Sequence, residues 1–305
     1  MPVPAIAGFG PANTGTVNIF ETRRRRLLLR GRIETAATLV ILSVLLLLAA
    51  WGAEFLSGDY GDAPFARVAD FLQRMNPHLK PDTMFANSET HGSLAYWFYA
   101  FPKWARALFT SIEMALIATV IGTVLAFATS LLMARTVTRS VVVRQTVRCA
   151  PNLLRTMPGF IFAMLLVQAV GPGPMAGTLA LIFSCFAGLC RPFSEILENA
   201  DLGPMESVRA AGGGRFAQIR YGLLPLVAPY MLTYVFAWVE INVSASTALG
   251  IVGAGGIGLE LASALAYNQF DSYLAMMIMI AAVVIVTDIA SEQVRHRFFG
   301  LKVTR

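Results

Sequence analysis

The chain has 305 residues, 56% of them hydrophobic and only 14% charged, with a mean hydropathy of +0.62. So little charge excludes a soluble domain of ordinary composition and implies an integral membrane protein. The net charge of +6 does not point to nucleic acid, because the arginines sit at the ends of apolar segments rather than on a separate basic face.

A helix needs about 20 mostly apolar residues to cross the bilayer core. Read on that scale, the sequence offers six spans, 36–53, 107–134, 152–170, 175–189, 223–243 and 273–290, the fourth being the shortest. The expected fold is therefore all-α, a polytopic membrane protein of about six transmembrane helices. About 35 residues precede the first apolar run, more than a basic n-region of a signal peptide holds, so an uncleaved anchor is expected.

The first loop outside, from Ser57 to Lys103, carries several prolines and the aromatic cluster Tyr96, Trp97, Phe98 and Tyr99. Aromatics of this kind gather at membrane interfaces, so an amphipathic segment lying on the outer surface is expected there. With the N-terminus inside, nineteen of the 24 lysines and arginines fall on the inner side. Only Arg67, Arg74, Lys80, Lys103 and Arg106 remain outside, so both termini are expected to be cytoplasmic.

Several chemistries lack their residues. Cys149, Cys185 and Cys190 have no framework spacing and are expected to be packing residues. His78, His91 and His296 lie far apart, with no HExxH and no cysteine pair at zinc spacing, so no metal site is expected. Lys80, Lys103 and Lys302 do not follow glycines, which excludes a Walker A loop. A hydrolase elbow of the form GxSxG is absent too. The pattern GxGxxG occurs at Gly253, Gly255 and Gly258, but it follows a membrane span instead of a strand, so dinucleotide binding is rejected. Transport is left as the leading class.

One charged stretch interrupts the apolar chain, "ESVRAAGGGRFAQIRYGLLP", from Glu206 to Pro225. Gly203 and Pro204 look like a helix start, with Glu206 near the positive end of the dipole. Ser207, Ala210 and Ala211 keep one side small, and Gly212, Gly213 and Gly214 stop the helix. Arg215 begins the return towards the membrane, where Pro225 and Pro229 should bend the fifth span.

A glutamate, a glycine six residues on, and Leu-Pro at eighteen and nineteen match the cytoplasmic loop motif of ABC importer permeases, here Glu206, Gly212, Leu224 and Pro225. The sequence departs from that motif at Ser207 and Val208, usually alanines, and at Gly222, usually isoleucine. "EINVSASTALGIVGAGGIG", "FAMLLVQAVGPGPMAGTLAL" and "SEILENADLGPMESVRAAG" resemble the permeases of phosphonate-type importers, over about 200 residues from Ala105 onward. Such permeases often carry arginine where Trp238 and Ser244 stand.

The resemblance implies a type I ABC importer permease core with an extra N-terminal helix. It divides the chain into a cytoplasmic segment 1–35, a first transmembrane helix 36–56, an extracytoplasmic segment 57–104, the importer transmembrane domain 105–291 with its coupling loop 203–225, and a cytoplasmic tail 292–305. It further implies a multi-pass protein of the bacterial inner membrane, surrounded by lipid, that carries phosphonate or a related phosphorus oxyanion. The partners implied are a dimer of ABC ATP-binding subunits, which use the ATP, an extracytoplasmic solute-binding protein, and a second permease copy, identical or paralogous. No cofactor bound directly by this chain and no nucleic acid are expected. The alternatives are another small solute such as an amino acid, or a stand-alone secondary transporter.

Site expectations follow. Glu206, Ala210, Ala211, Gly212, Arg215, Leu224 and Pro225 are expected to couple the chain to the ATPase. Ionisable groups within a membrane usually face a bundle interior or a cavity. Glu240, Asn242 and Glu113 fit that description, and the first two are either pathway or gate residues or partners that fix the glycine loop. Gly250, Gly253, Gly255, Gly256 and Gly258 imply irregular backbone, which membrane depth tolerates only when it is buried or lines water, so a gate or re-entrant turn is expected. Glu195, Glu198 and Asp201 are expected to pair with nearby arginines.

Overall fold

Residue 14 begins a helix that runs straight from an arginine cluster into an apolar run, with no proline to interrupt it. In the computed structural model this is α1, Thr14–Gly52. The structure describes residues 14–52, 64–77, 81–85, 90 and 92–299 and divides into two units, 1–69 and 70–305. The apolar part of α1, Leu28–Gly52, is long enough to cross a membrane. It contains the expected first span except Ala53, which lies outside the described residues. Leu39, Val40, Ile41, Leu45 and Leu46 are exposed around its circumference, as suits a helix bathed in lipid.

α2, Pro64–Met75, is amphipathic, as expected for part of the outer segment. Phe71 meets Phe270 edge to face, with centroids 5.3 Å apart. After the short α3, Leu94–Trp97, the Trp97 indole donates to the Asp271 carbonyl at 2.9 Å. Trp97 and Phe98 pack with Trp104, Ile257, Leu261 and Met276, so half of the aromatic cluster turns inward.

α4, Phe101–Met133, and α7, Pro174–Asn199, form the centre of the second unit. Their facing surfaces are built from small residues, among them Ser111, Ala115, Ala118, Gly122 and Ala126 on α4. A β-carbon on Gly122 would stand 2.8 Å from the Cys185 Cβ of α7. With no hydrophobic effect between helices in lipid, such close backbone approach is what holds them together. Cys185 and Cys190 are buried there as expected. Cys149 is exposed, which corrects the expectation that all three are packing residues.

The third span is not continuous. It consists of α5, Val141–Thr156, and α6, Gly159–Val170, bent by 89°. Pro158 is the cause: it forces Met157 into extended backbone, φ −93° and ψ 127°, and the helix ends before it. α5 is amphipathic and α6 has only 12 residues, so neither half reaches across alone.

The fourth span is longer than 175–189, because α7 continues to Asn199. Polar residues end the apolar run there but not the helix, since Arg191 pairs with Glu195 one turn on at 2.7 Å. α8, Gly203–Ala210, and α9, Arg215–Ala217, lead into a π-helical stretch, Gln218–Leu223. α10, Leu224–Gly250, follows, with Pro225 in its first turn, where a missing amide costs nothing. The disturbance expected from the prolines thus takes the form of a widened turn.

α11, Ile257–Ala266, and α12, Phe270–Phe299, complete the unit. Among the described residues, five helices are long and apolar enough to cross a membrane, or six segments if the bent pair is one span. The chain is a multi-pass, all-helical membrane protein, with no strand among the described residues. α10 spans the bundle from the α8 loop at one end to the glycine loop at the other.

Candidate functional site

α8 opens with Asp201, whose carboxylate accepts from the Gly203 amide at 3.0 Å. It closes with the Gly213 amide on the Val208 carbonyl and the Gly212 amide on the Arg209 carbonyl, both 2.9 Å. This crossed pair needs a left-handed residue between its two bonds, and Gly212 supplies it at φ +83°.

Met205 and Val208 turn inward, while Glu206, Ser207, Arg209, Ala210 and Ala211 are exposed. The Glu206 amide donates to the Leu202 carbonyl at 3.0 Å, while its side chain makes no hydrogen bond or ion pair among the described residues. The seat beneath α8 explains the departure at Gly222: a β-carbon there would stand 2.8 Å from the Met205 Cα. Isoleucine would push α8 off the π-helical stretch.

Arg215 is exposed, and its guanidinium donates to the Val137 carbonyl at 2.6 Å in the turn between α4 and α5. Leu224 is half-buried and Pro225 exposed at the start of α10. Beside this face stand two aromatics that sequence reasoning missed, Phe216 at 74% and Tyr221 at 66% exposure. Only their position against a charged loop could have flagged them.

At the other end, Gly253, Gly255 and Gly256 adopt φ of +87°, +82° and +70°. The Gly253 carbonyl accepts from the Gly173 amide at 2.9 Å. Ser111 Oγ of α4 accepts from the Ile257 amide at 3.0 Å. Gly258 meets Gly250 backbone to backbone, so α11 folds back tightly on the end of α10. The loop joins two helices, which removes the strand that a dinucleotide fingerprint requires.

Asn242 does not reach that loop. It is 1% exposed and donates to Thr119 Oγ1 of α4 at 2.8 Å, with the Cys185 thiol beside it. Glu240 is half-buried, its side chain without a hydrogen bond or ion pair among the described residues, and Glu113 is exposed on α4.

Two cavities open along the bundle. One of about 340 Å³ surrounds the α5–α6 break and is lined by Arg155, Pro158, Gly159, Ser184, Gly188 and Trp238. The other, about 470 Å³, lies between α7 and α10 near α8 and is lined by Glu195, Asp201, Tyr230 and Tyr234, among others. Asn242, Glu240 and the glycine loop line neither.

A multi-pass helical bundle with an exposed, motif-bearing loop helix defines a transport permease. Residues 126–300 match the family model of the binding-protein-dependent transport system inner membrane component, and the chain belongs to that family. It is 33% identical over 202 residues to the phosphite transport system permease protein PtxC of Stutzerimonas stutzeri, covering 66% of this chain and 73% of that one. It is 34% identical over 187 residues to the phosphate-import permease protein PhnE of Mycolicibacterium smegmatis, which covers 61% of this chain but 35% of the relative. An inward-facing MetNI methionine ABC transporter shares the fold, with a TM-score of 0.57 over 66% of this chain and 96% of that one, at 21% identity. The chain is thus a transport component.

Proposed function

We propose that this chain is the membrane-spanning subunit of an ATP-driven importer for a phosphorus oxyanion such as phosphite or phosphonate. The observation that carries the reading is the exposed face of α8, closed by Gly212 and seated on Gly222. The cargo class rests on the relatives named for phosphite and phosphate import.

ATP is used by a separate pair of ATP-binding subunits, and this chain binds no cofactor of its own. The small side chains of Ser207, Ala210 and Ala211 let a subunit cleft approach the α8 backbone, with Phe216 as an apolar anchor. An extracytoplasmic binding protein delivers the cargo, and a second permease copy, identical or paralogous, completes the path. The protein sits in the bacterial inner membrane with both termini cytoplasmic, which the arginine distribution supports.

Along the path, the cavity at the α5–α6 break offers Arg155 and the Ser184 hydroxyl and no carboxylate, an environment that favours an anion. The cavity next to α8 carries Glu195 and Asp201 and disfavours one, so cargo that arrives there is released. In this reading the loop carrying Gly253, Gly255, Gly256 and Gly258 closes the outer end of the path, Glu240 stands about three turns of α10 further in, and Asn242 fixes the helices around it.

The test is phosphite uptake into proteoliposomes that hold the permease, its ATP-binding subunits and the binding protein. Uptake is expected to stop when the ATP site of the partner is disabled. Uptake that survives and follows an ion gradient overturns the reading.

A further inference from the structure

The turn between α4 and α5, residues 134–140, is gripped from both sides of the α8 loop. On the C-terminal side Arg215 donates to the Val137 carbonyl at 2.6 Å. On the N-terminal side Thr136 Oγ1 donates to the Leu197 carbonyl at 3.0 Å. Next to it, the Glu198 carboxylate takes the Arg135 amide at 3.0 Å and the Arg148 guanidinium of α5 at 2.7 Å. The same Arg148 nitrogen also reaches the Met133 carbonyl, at 3.1 Å, where α4 ends.

Glu198 stands one residue before the end of α7, and only Ala200, Asp201 and Leu202 separate that helix from α8. Its side chain is 21% exposed and that of Arg148 31%, so this pair is better shielded than Arg191–Glu195, whose side chains are 64% and 55% exposed. A shielded, multiply bonded carboxylate holds geometry far better than a surface pair. The opposite end of α5 is the break at Met157–Pro158, which forms a wall of the cavity holding Arg155.

We infer that Glu198 is a positioning residue for transport: through Arg148 and the 134–140 turn it transmits displacement of α8 to α5, and so to the cavity wall at Pro158. The inference rests on the proposal that an ATP-binding subunit docks on α8. Because turn and loop are tied at two points, α8 cannot shift without carrying the start of α5 with it, and a stiff helix delivers that shift to its other end.

The experiment compares wild type with Glu198→Gln in proteoliposomes containing the full transporter. ATP hydrolysis, co-purification of the ATP-binding subunit, melting temperature and phosphite uptake are all measured. Glutamine keeps an acceptor for the Arg135 amide but removes the charge that holds Arg148. Hydrolysis, co-purification and melting temperature are expected to stay near wild type while uptake falls about ten-fold. The exchange Glu198→Arg with Arg148→Glu is expected to recover a measurable part of that loss. Unchanged uptake per ATP in Glu198→Gln overturns the inference, as does a fall in all four quantities together, which marks a structural role. A wild-type permease that fails to bind the ATP-binding subunit overturns the docking proposal itself, and this inference with it.

Discussion

The benzo ring of Trp238 on α10 lies against Gly188 of α7 so closely that a β-carbon at position 188 would overlap it. Both residues line the cavity at the α5–α6 break, so this contact sets how far α10 stands from α7 at that level. Gly188→Val must displace the indole, and overpacking of this kind costs about 1–3 kcal/mol. We expect a lower melting temperature in detergent and reduced phosphite uptake. Combining Gly188→Ala with Trp238→Leu should restore both towards wild type, and failure of the pair to do better than Gly188→Ala alone would sink the packing account.

Gly222 tests the seat of α8. Gly222→Ile introduces the residue usual in the motif, yet here it meets the backbone of Met205 and Pro204. The expected result is normal membrane insertion with loss of the ATP-binding subunit on purification. A variant that co-purifies like wild type shows that α8 does not rest on this glycine.

The exposed face of the loop is tested by Glu206→Lys and Phe216→Ala. An exposed aromatic that becomes buried in an interface contributes about 2 kcal/mol, roughly a 30-fold change in affinity. Both variants should keep their melting temperature and lose subunit binding, as measured by surface-immobilised titration. Full binding by Phe216→Ala would leave α8 itself as the docking element and exclude its aromatic neighbour.

These predictions differ in how visible their residues were beforehand. The apolar runs revealed the spans because hydropathy is a local property, and the motif from Glu206 to Pro225 revealed α8 because its spacing is fixed within one loop. The break at Met157 was masked because 152–170 is apolar on average despite Asn152, Arg155 and Gln168, with Pro158 as its only local sign. Reading 175–189 as the fourth span failed because α7 outlasts its apolar stretch through the Arg191–Glu195 pair. Glu198 was expected to pair with an arginine and does so, but which arginines was hidden, because Arg135 and Arg148 lie 63 and 50 residues away in the chain. Position in sequence also gave no hint that Asn242 would find Thr119, a separation of 123 residues.

That last pair fixes α10 to α4. Thr119→Val keeps the shape but leaves the buried Asn242 amide without its acceptor, a loss of about 1–3 kcal/mol. The melting temperature should fall more than in the double variant Thr119→Val with Asn242→Leu, where both polar groups are gone. Equal or greater loss in the double variant would refute the assignment of this hydrogen bond as the source of stability.

The three cysteines, finally, divide in a way that is useful at the bench. Cys185 and Cys190 are sealed between helices, whereas Cys149 is exposed on α5, four residues before Leu153 and eight before Met157 at the break. A maleimide fluorophore should therefore attach at one place on the native polypeptide, without cysteine removal or insertion. The dye would report directly on the helix that leads to the bend, turning over in real time as nucleotide is added.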